Sequence, residues 1–393
     1  MQLSPDTKRF IEEHESDDIH SLALHASRFP QVDMALAIQQ IKGKQIAKEK
    51  IPSWYKVSDI LYPKHLSMEQ CSSEYTARYK ATLLSGSSLV DLTGGFGVDI
   101  AFLFPQFKDA TYVEQQEELA GIAQHNFAVL NLDIQVVNAD AVDYLHRMTA
   151  VDCIYIDPAR RDIKGRKIVS IEDCTPNLLE IEPLLEEKAK RTMIKLSPML
   201  DISLAVKSLK GIAEVHIISH NNECKELLFI KDSAQVMESP RLQCVNIHHD
   251  KTDIFSFSRE EEDEINLHYT NEIGRYLYEP NSSVLKAGAY KSIAQYYGID
   301  KLHVNSHLYT SDNQIDGFQG RAFEVVAATT LNKSELKDKL GNIKQANIST
   351  RNFPLSPQEL KKRLGLKDGG NTYIFGTTLG DGHKVLIICR KAD

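Results

Sequence analysis

Apolar positions change their spacing twice along the chain, and each spacing predicts a different architecture. Over residues 1–84 they recur at intervals of three and four, in Leu22, Leu24, Phe29, Met34, Ala35, Ala37, Ile38 and Ile41, then in Tyr75, Tyr79, Leu83 and Leu84. That is the period of helices with one buried face. Pro30, Pro52 and Pro63 divide the run into separate helices. From residue 88 to about 232 short apolar runs alternate with helical stretches. Strands are predicted at 89–92, 111–114, 134–137, 153–157, 193–196, 215–219 and 226–230. After the second, Leu119, Ile122, Ala123, Asn126, Phe127 and Leu130 share one helix face. Alternation of this kind builds a mostly parallel sheet. The last two strands are separated only by a turn at Asn221 and Asn222, too short for a crossover, so antiparallel pairing is expected there.

Beyond residue 235 the acidic run 259–264 reads as a solvated loop or helix face. Residues 276–310 are rich in Tyr, Asn, Ser and His. A β-α-β-α-β-β pattern closes the chain, with strands at 323–327, 346–350, 372–377 and 384–389 and helices from Lys333 and over 356–364. Ser356-Pro357-Gln358-Glu359 is a helix start, with Ser as N-cap, Pro first and Glu third.

Composition narrows the class. Hydrophobic residues make up 42% and charged residues 25% of 393, as in ordinary globular chains and unlike disordered or fibrous ones. No run of 18 uncharged apolar residues occurs and residues 1–18 are polar and acidic, so a cytoplasmic protein without membrane contact is expected. The six cysteines lie far apart without a C-x-x-C, which argues against a disulfide scaffold or a zinc site and for reduced thiols. The formal charge of −8 is uneven: residues 331–393 carry 12 Lys and Arg against 6 Asp and Glu, a net of +6, leaving −14 in residues 1–330. A local basic patch is therefore compatible with a polyanionic partner.

The chemistry concentrates at the ends of the predicted strands. Asp91-Leu92-Thr93-Gly94-Gly95-Phe96-Gly97 follows the first strand and opens a helix, where glycines allow a ligand to approach the backbone. A dinucleotide fingerprint wants a small residue at position 100, where Ile100 stands. Glu114 ends the second strand 23 residues after Asp91, placed to accept both hydroxyls of a ribose. Asp140, beside Ala141 just past the third strand, has the chemistry to accept from an adenine amine. Singly, these residues read equally well as turn glycines and helix caps. Their order at successive strand ends favours a ligand, because open α/β sheets bind ligands there. The fourth strand ends Tyr155-Ile156-Asp157-Pro158-Ala159-Arg160-Arg161.

This order of motifs resembles the class I S-adenosylmethionine-dependent methyltransferases over residues 70–232. The Asp-Pro-Ala-Arg-Arg form, the residues Glu69-Gln70-Cys71-Ser72-Ser73 to Ala77 and the basic C-terminal segment resemble, over nearly the whole chain, the bacterial THUMP-like methyltransferase family. The resemblance implies a Rossmann-like seven-stranded methyltransferase sheet with a helical N-terminal domain and a C-terminal ferredoxin-like α+β domain. Expected boundaries are 1–84 for the helical domain, 85–235 for the methyltransferase domain, 236–322 for a linker and ferredoxin-like segment, and 323–393 for the THUMP-like basic domain. It also implies an S-adenosyl-L-methionine pocket at Asp91, Thr93, Gly94, Gly95, Gly97, Glu114, Asp140, Ala141 and Asp157.

Asp157, Pro158 and Arg160 are the expected catalytic residues, since a carboxylate and a carbonyl held by proline accept hydrogen bonds from an exocyclic amine and aim its lone pair. The related Asp/Asn-Pro-Pro-aromatic motif stacks an aromatic on a flipped base; Ala159 and Arg160 replace its last two residues here. Arg160, Arg161, Lys164, Arg166 and Lys167 place five cations within eight positions, an expected clamp on nucleic-acid phosphates or else a solvated loop. Trp54, Tyr55 and Tyr62 are candidate stacking aromatics that read better as core. His303 and His307 lack the helix and the Glu of a metal pair and read as structural. The expected function is N-methylation of a base in RNA, with no metal. The alternatives are methylation of a small molecule and a non-catalytic RNA-binding protein on this fold.

Overall fold

A computed structural model describes residues 3–160, 171–234, 239–248, 251–341 and 343–392. They form two compact units, Met1–Val215 with Lys225–Pro240, and His216–Cys224 with Arg241–Asp393.

The first unit opens with helices α1 (Pro5–Glu13), α2 (Ile19–Leu24), α3 (Met34–Lys50), α4 (Pro52–Tyr55), α5 (His65–Gln70) and α6 (Glu74–Ala81). Phe10, Ile11, Leu22, Ala37 and Ile41 close one small core among them. Residues 61 and 62 run through this region without regular structure, and two buried amides satisfy their backbone. Asn126 Nδ2 donates to Leu61 O and its Oδ1 accepts from Leu61 N, both at 2.9 Å. Gln40 makes the same pair of bonds to Tyr62, both at 2.8 Å. An Asn on an otherwise apolar helix face is thereby explained, since an unpaired buried backbone group is costly.

The alternating part follows: β1 (Ser88–Asp91), α7 (Val98–Leu103), β2 (Asp109–Glu114), α8 (Glu117–Val129), β3 (Ile134–Asn138), α9 (Ala141–Arg147), β4 (Val151–Ile156), β5 (Ala159–Arg160), β6 (Cys174–Thr175), α10 (Leu178–Lys188), β7 (Ala189–Leu196), α11 (Ile202–Ser208), β8 (Ile212–His220) and β9 (Glu223–Asp232). Seven of these strands lie in the order β8-β9-β7-β4-β1-β2-β3. The pairs β1–β2, β1–β4, β2–β3 and β4–β7 are parallel, whereas β9 runs antiparallel to β7 with Leu196 opposite Leu227. The last strand is thus inserted between its two predecessors, and chain order reverses at β1, where β2 lies on one side and β4 on the other. Ligands of open sheets bind at such a reversal. β5 and β6 form a separate two-stranded ladder, Ala159 opposite Thr175.

In the second unit the outer end of β8 is followed by β10 (Arg241–His248) and β11 (Lys251–Phe257), two strands where a linker was expected. Their apolar residues are interrupted by Gln243, Asn246 and Asp253, which hides the strand period in the sequence. Helix α12 (Arg259–Glu264) comes next. Its acidic run is not wholly solvated: Glu262 is buried and accepts from Lys291 N and Ser292 N at 2.8 Å and from Ser292 Oγ at 2.7 Å. The remaining elements are β12 (Tyr276–Pro280), α13 (Ser282–Ala287), α14 (Ser292–Tyr297), β13 (Asp300–Lys301), β14 (Tyr309–Ser311), β15 (Gly320–Thr329), α15 (Lys333–Leu340), β16 (Asn347–Arg351), α16 (Pro357–Leu364), β17 (Thr372–Thr378) and β18 (Lys384–Lys391). Seven strands form a sheet in the order β13-β14-β12-β15-β18-β17-β16. Phe375, Ile387 and Cys389 face a core with Leu277 and Phe323; Ile374, Leu386 and Ile388 face another with Leu340 and Leu360. Successive strand residues point to opposite faces, so a continuous apolar run marks a strand covered on both sides. Among the described residues no helix is long and apolar enough to cross a membrane.

Candidate active site

Three strand ends and one loop build the site in the first unit. The loop after β1 is shaped by its glycines. A Cβ on Gly94 would lie 2.1 Å from the Tyr112 ring, so no other residue fits without moving that ring, and Gly97 has φ of +84°, a conformation other residues rarely adopt. Trp54 and Tyr62 are buried and pack against Phe96 of this loop, with ring centroids 5.1 and 6.2 Å away. They are core, as expected for large aromatics in a helical region. The hydroxyl of Tyr55 donates to Glu15 at 2.7 Å.

Each carboxylate named in the sequence holds part of this frame. Asp91 is buried and accepts from Thr93 N at 3.0 Å. Glu114 accepts from Gly95 N at 3.0 Å and from Gln116 N at 2.8 Å, one bond on each oxygen. Asp157 lies just past β4, not in it, and its N–H donates to Thr93 Oγ1 at 2.6 Å; Pro158 beside it is buried. Asp140 is the N-cap of α9, its Oδ1 accepting from Val142 N at 2.8 Å and Asp143 N at 3.1 Å, and Ala141 is the first helical residue. The helix-cap reading of Asp140 therefore holds, on one of its two oxygens. Arg161, Lys164, Arg166 and Lys167 lie outside the described residues, as does the side chain of Arg160, whose backbone pairs with Cys174.

Burial raises Asp91 well above the ordinary carboxylate range, and the carboxylates of Asp99, Asp157 and Glu114 raise it further. The S-adenosylmethionine implied by the sequence fits these residues, because a sulfonium is favoured beside carboxylates and each oxygen of Glu114, having accepted one amide, keeps a lone pair for a further donor.

Behind Asp157 lies a group of charges that sequence reasoning passed over. Lys195, at the end of β7, is ion-paired with Asp157. Lys80 of α6 is fully buried, with Nζ 2.8 Å from Glu226, 2.9 Å from Asp99 and 2.9 Å from Ser72 Oγ. Tyr155 and Ser72 each donate to Asp99 at 2.8 Å. Burial alone would lower the Lys195 ammonium, but Asp157, Asp99 and Glu226 outweigh it and hold it above the usual lysine range. For Asp99 burial acts upward, and Lys80 with Lys195 overcomes it, bringing the carboxyl down to about 2. Cys71 feels the same charges, yet burial pushes its thiol up to about 11. A signal for these residues was available. Lys195 stands between Ile194 and Leu196 in a strand whose neighbours are apolar, and Lys80 follows Thr76 and Ala77 on the buried side of α6. Lysine is almost never fully buried unless paired.

In the second unit His303 Nδ1 lies 3.0 Å from Asn305 N and from Asn352 Nδ2, and His307 stacks on Tyr290 at 3.7 Å. Among the described residues no group of three His, Cys, Asp or Glu has the arrangement of a metal site.

Comparison with known proteins bears on the whole chain. A family model described as THUMP domain-like matches residues 320–391, and one described as a ferredoxin-like domain matches 276–318. A crystal structure of a "putative methyltransferase" from Porphyromonas gingivalis W83 is 35% identical, covers 98% of this chain and 98% of its own, and superposes with a TM-score of 0.90. Two Mycobacterium tuberculosis proteins, from strains CDC 1551 / Oshkosh and ATCC 25618 / H37Rv, are each named as an uncharacterized S-adenosylmethionine-dependent methyltransferase. Each is 24% identical over 332 residues, 83% of this chain and 88% of the relative.

Proposed function

The chain belongs to the S-adenosylmethionine-dependent methyltransferases with a C-terminal THUMP-like domain, and on that basis we propose that its substrate is RNA. S-adenosylmethionine supplies an electrophilic methyl on a sulfonium. In this proposal Glu114 holds the ribose, Asp91, Thr93, Gly94, Gly95 and Gly97 line the rest of the cofactor, and Asp140 with Ala141 borders the adenine. Asp157 holds the acceptor atom in line with the methyl, so that positioning does most of the work.

The RNA reading is carried by one observation: the THUMP domain-like match at 320–391 coincides with the basic stretch of an otherwise acidic chain. Phosphate contacts from that stretch, and from Arg160, Arg161, Lys164, Arg166 and Lys167, would position RNA without reading its sequence. A cytoplasmic location fits such a substrate. The sequence led to a base nitrogen as the acceptor, a choice that suits a carboxylate with no partner. The ion pair to Lys195 bears directly on it.

Mass spectrometry of nucleosides from total RNA of deletion and parent strains tests the substrate. One methylated nucleoside absent from the deletion strain and restored by the intact gene is the expected result. Identical nucleoside profiles would return the choice to a small-molecule substrate.

A further inference from the structure

The pair Asp157–Lys195 can be compared with what each class of acceptor offers. The Asp157 side chain is 34% exposed and that of Lys195 11%, whereas Lys80 is 0% and Glu226 4%. Asp157 is the member of the group a substrate reaches first, Lys195 is hydrogen-bonded directly to it, and the other two charges stand behind. Lys195 is a donor without any acceptor, and Asp157 ionised is an acceptor without any donor. An exocyclic amine brings two N–H donors and directs its lone pair at the methyl, so it has nothing to accept the ammonium's hydrogen and gains positive charge beside a fixed cation as it reacts. A hydroxyl brings one donor and two lone pairs. It can donate to Asp157, accept from Lys195 and still aim one lone pair at the methyl.

Resting on the RNA reading above, we propose that the acceptor is a hydroxyl, the ribose 2′-hydroxyl of an RNA nucleotide, held between Asp157 and Lys195. The hydroxyl oxygen attacks the methyl carbon; an O–C bond forms, the C–S bond breaks and its electron pair goes to sulfur, which becomes a neutral thioether. The O–H proton passes to the Asp157 carboxylate and leaves to water after the product departs. Lys195 donates to the same oxygen as the proton leaves and stabilises the negative charge that grows there. Glu226 and Asp99 are positioning residues whose carboxylates hold Lys195 as an ammonium when the acceptor arrives, and Lys80 holds both of them in place.

A labelling experiment on the unaltered, full-length protein tests this. Total RNA from a strain lacking the gene is incubated with the protein and methyl-labelled S-adenosylmethionine, then hydrolysed in alkali. Alkaline cleavage needs a free 2′-hydroxyl, so a 2′-O-methyl group leaves its label in an uncleaved dinucleotide. Label in dinucleotides is the expected result. Label in mononucleotides would mean base methylation, overturning the hydroxyl assignment while leaving the RNA reading intact. No label in RNA would overturn both. A second measurement addresses the cation: Lys195→Met should lower kcat by about 100-fold or more with cofactor affinity within threefold by calorimetry, and Lys195→Arg should recover part of the rate. Parental turnover in Lys195→Met would remove Lys195 from the reaction.

Discussion

Glu114 holds the glycine loop by its side chain and, under the proposed function, would hold the cofactor ribose by the same two oxygens. Its two oxygens each accept a backbone amide, from Gly95 and from Gln116, and each retains a lone pair for a ribose hydroxyl. Glu114→Ala removes the tether on the glycine loop and, under the proposed ribose role, the ribose contacts with it. Two charge-assisted bonds are worth about 2 to 4 kcal/mol, so cofactor affinity should fall at least about tenfold in titration calorimetry. An unchanged affinity would take the ribose away from Glu114. His307 provides a second test in the other unit. Burial, then the cations Lys301 and Arg351, lower its pKa to about 4, against about 6.5 when unfolded. The folded state disfavours the protonated ring, so its contribution to stability is complete above pH 6.5 and is lost as pH falls through 4. His307 has φ of +52°, which asparagine tolerates. His307→Asn should flatten urea-unfolding stability between pH 6.5 and 4; an acid limb as steep as the parent's would place the titration elsewhere.

Among the elements, α16 is the one whose start is most completely specified. Ser356 Oγ accepts from Glu359 N at 3.3 Å, Glu359 accepts in return from Ser356 N at 2.8 Å, and Pro357 takes the first helical position. Leu360 of this helix is fully buried in the core below β17 and β18, and Leu364 packs partly against it, so cap and packing act together on the helix start. Ser356→Ala should lower the unfolding free energy of the second unit by about 1 kcal/mol, read as a lower thermal midpoint. No change in that midpoint would show that packing alone sets the helix start. The capping box was visible in the sequence because four adjacent residues suffice for it. Glu262 was not, because its partners Lys291 and Ser292 are about thirty positions away, and six charged residues in a row look alike until the fold selects one to bury.

For the molecule as a whole, charge decides how a polyanion can be held. The net of −14 in residues 1–330 repels RNA and the +6 in residues 331–393 attracts it. Removing that segment would be a poor test, since β15 pairs with β18 and Phe375, Ile387 and Cys389 belong to its core. Reversing the exposed cations Lys362, Arg363 and Lys367 to Glu leaves the core untouched. RNA affinity should then fall, and the slope of log affinity against log salt should shrink by about one for each phosphate that is no longer neutralised. Equal slopes for parent and variant would sink the role of this surface.

At every scale the division between sequence and structure follows the distance between interacting residues. Local patterning was not enough for β10 and β11, but it was enough for the main strands and helices of residues 88–232, the antiparallel last strand there, the glycine loop and the acidic residues at strand ends. Each of those rests on a periodicity or a motif only a few residues long. That Asp157 carries a partner emerges solely from the folded chain. Lys195 is 38 positions from it, and Lys80 is 146 from Glu226. Four charged residues scattered over the chain look independently solvated in sequence. The mostly parallel sheet brings β4 and β7 side by side, inserts β9 next to them and stands α6 against the same end, and burial then pairs Asp157 with Lys195 and Lys80 with Glu226 and Asp99.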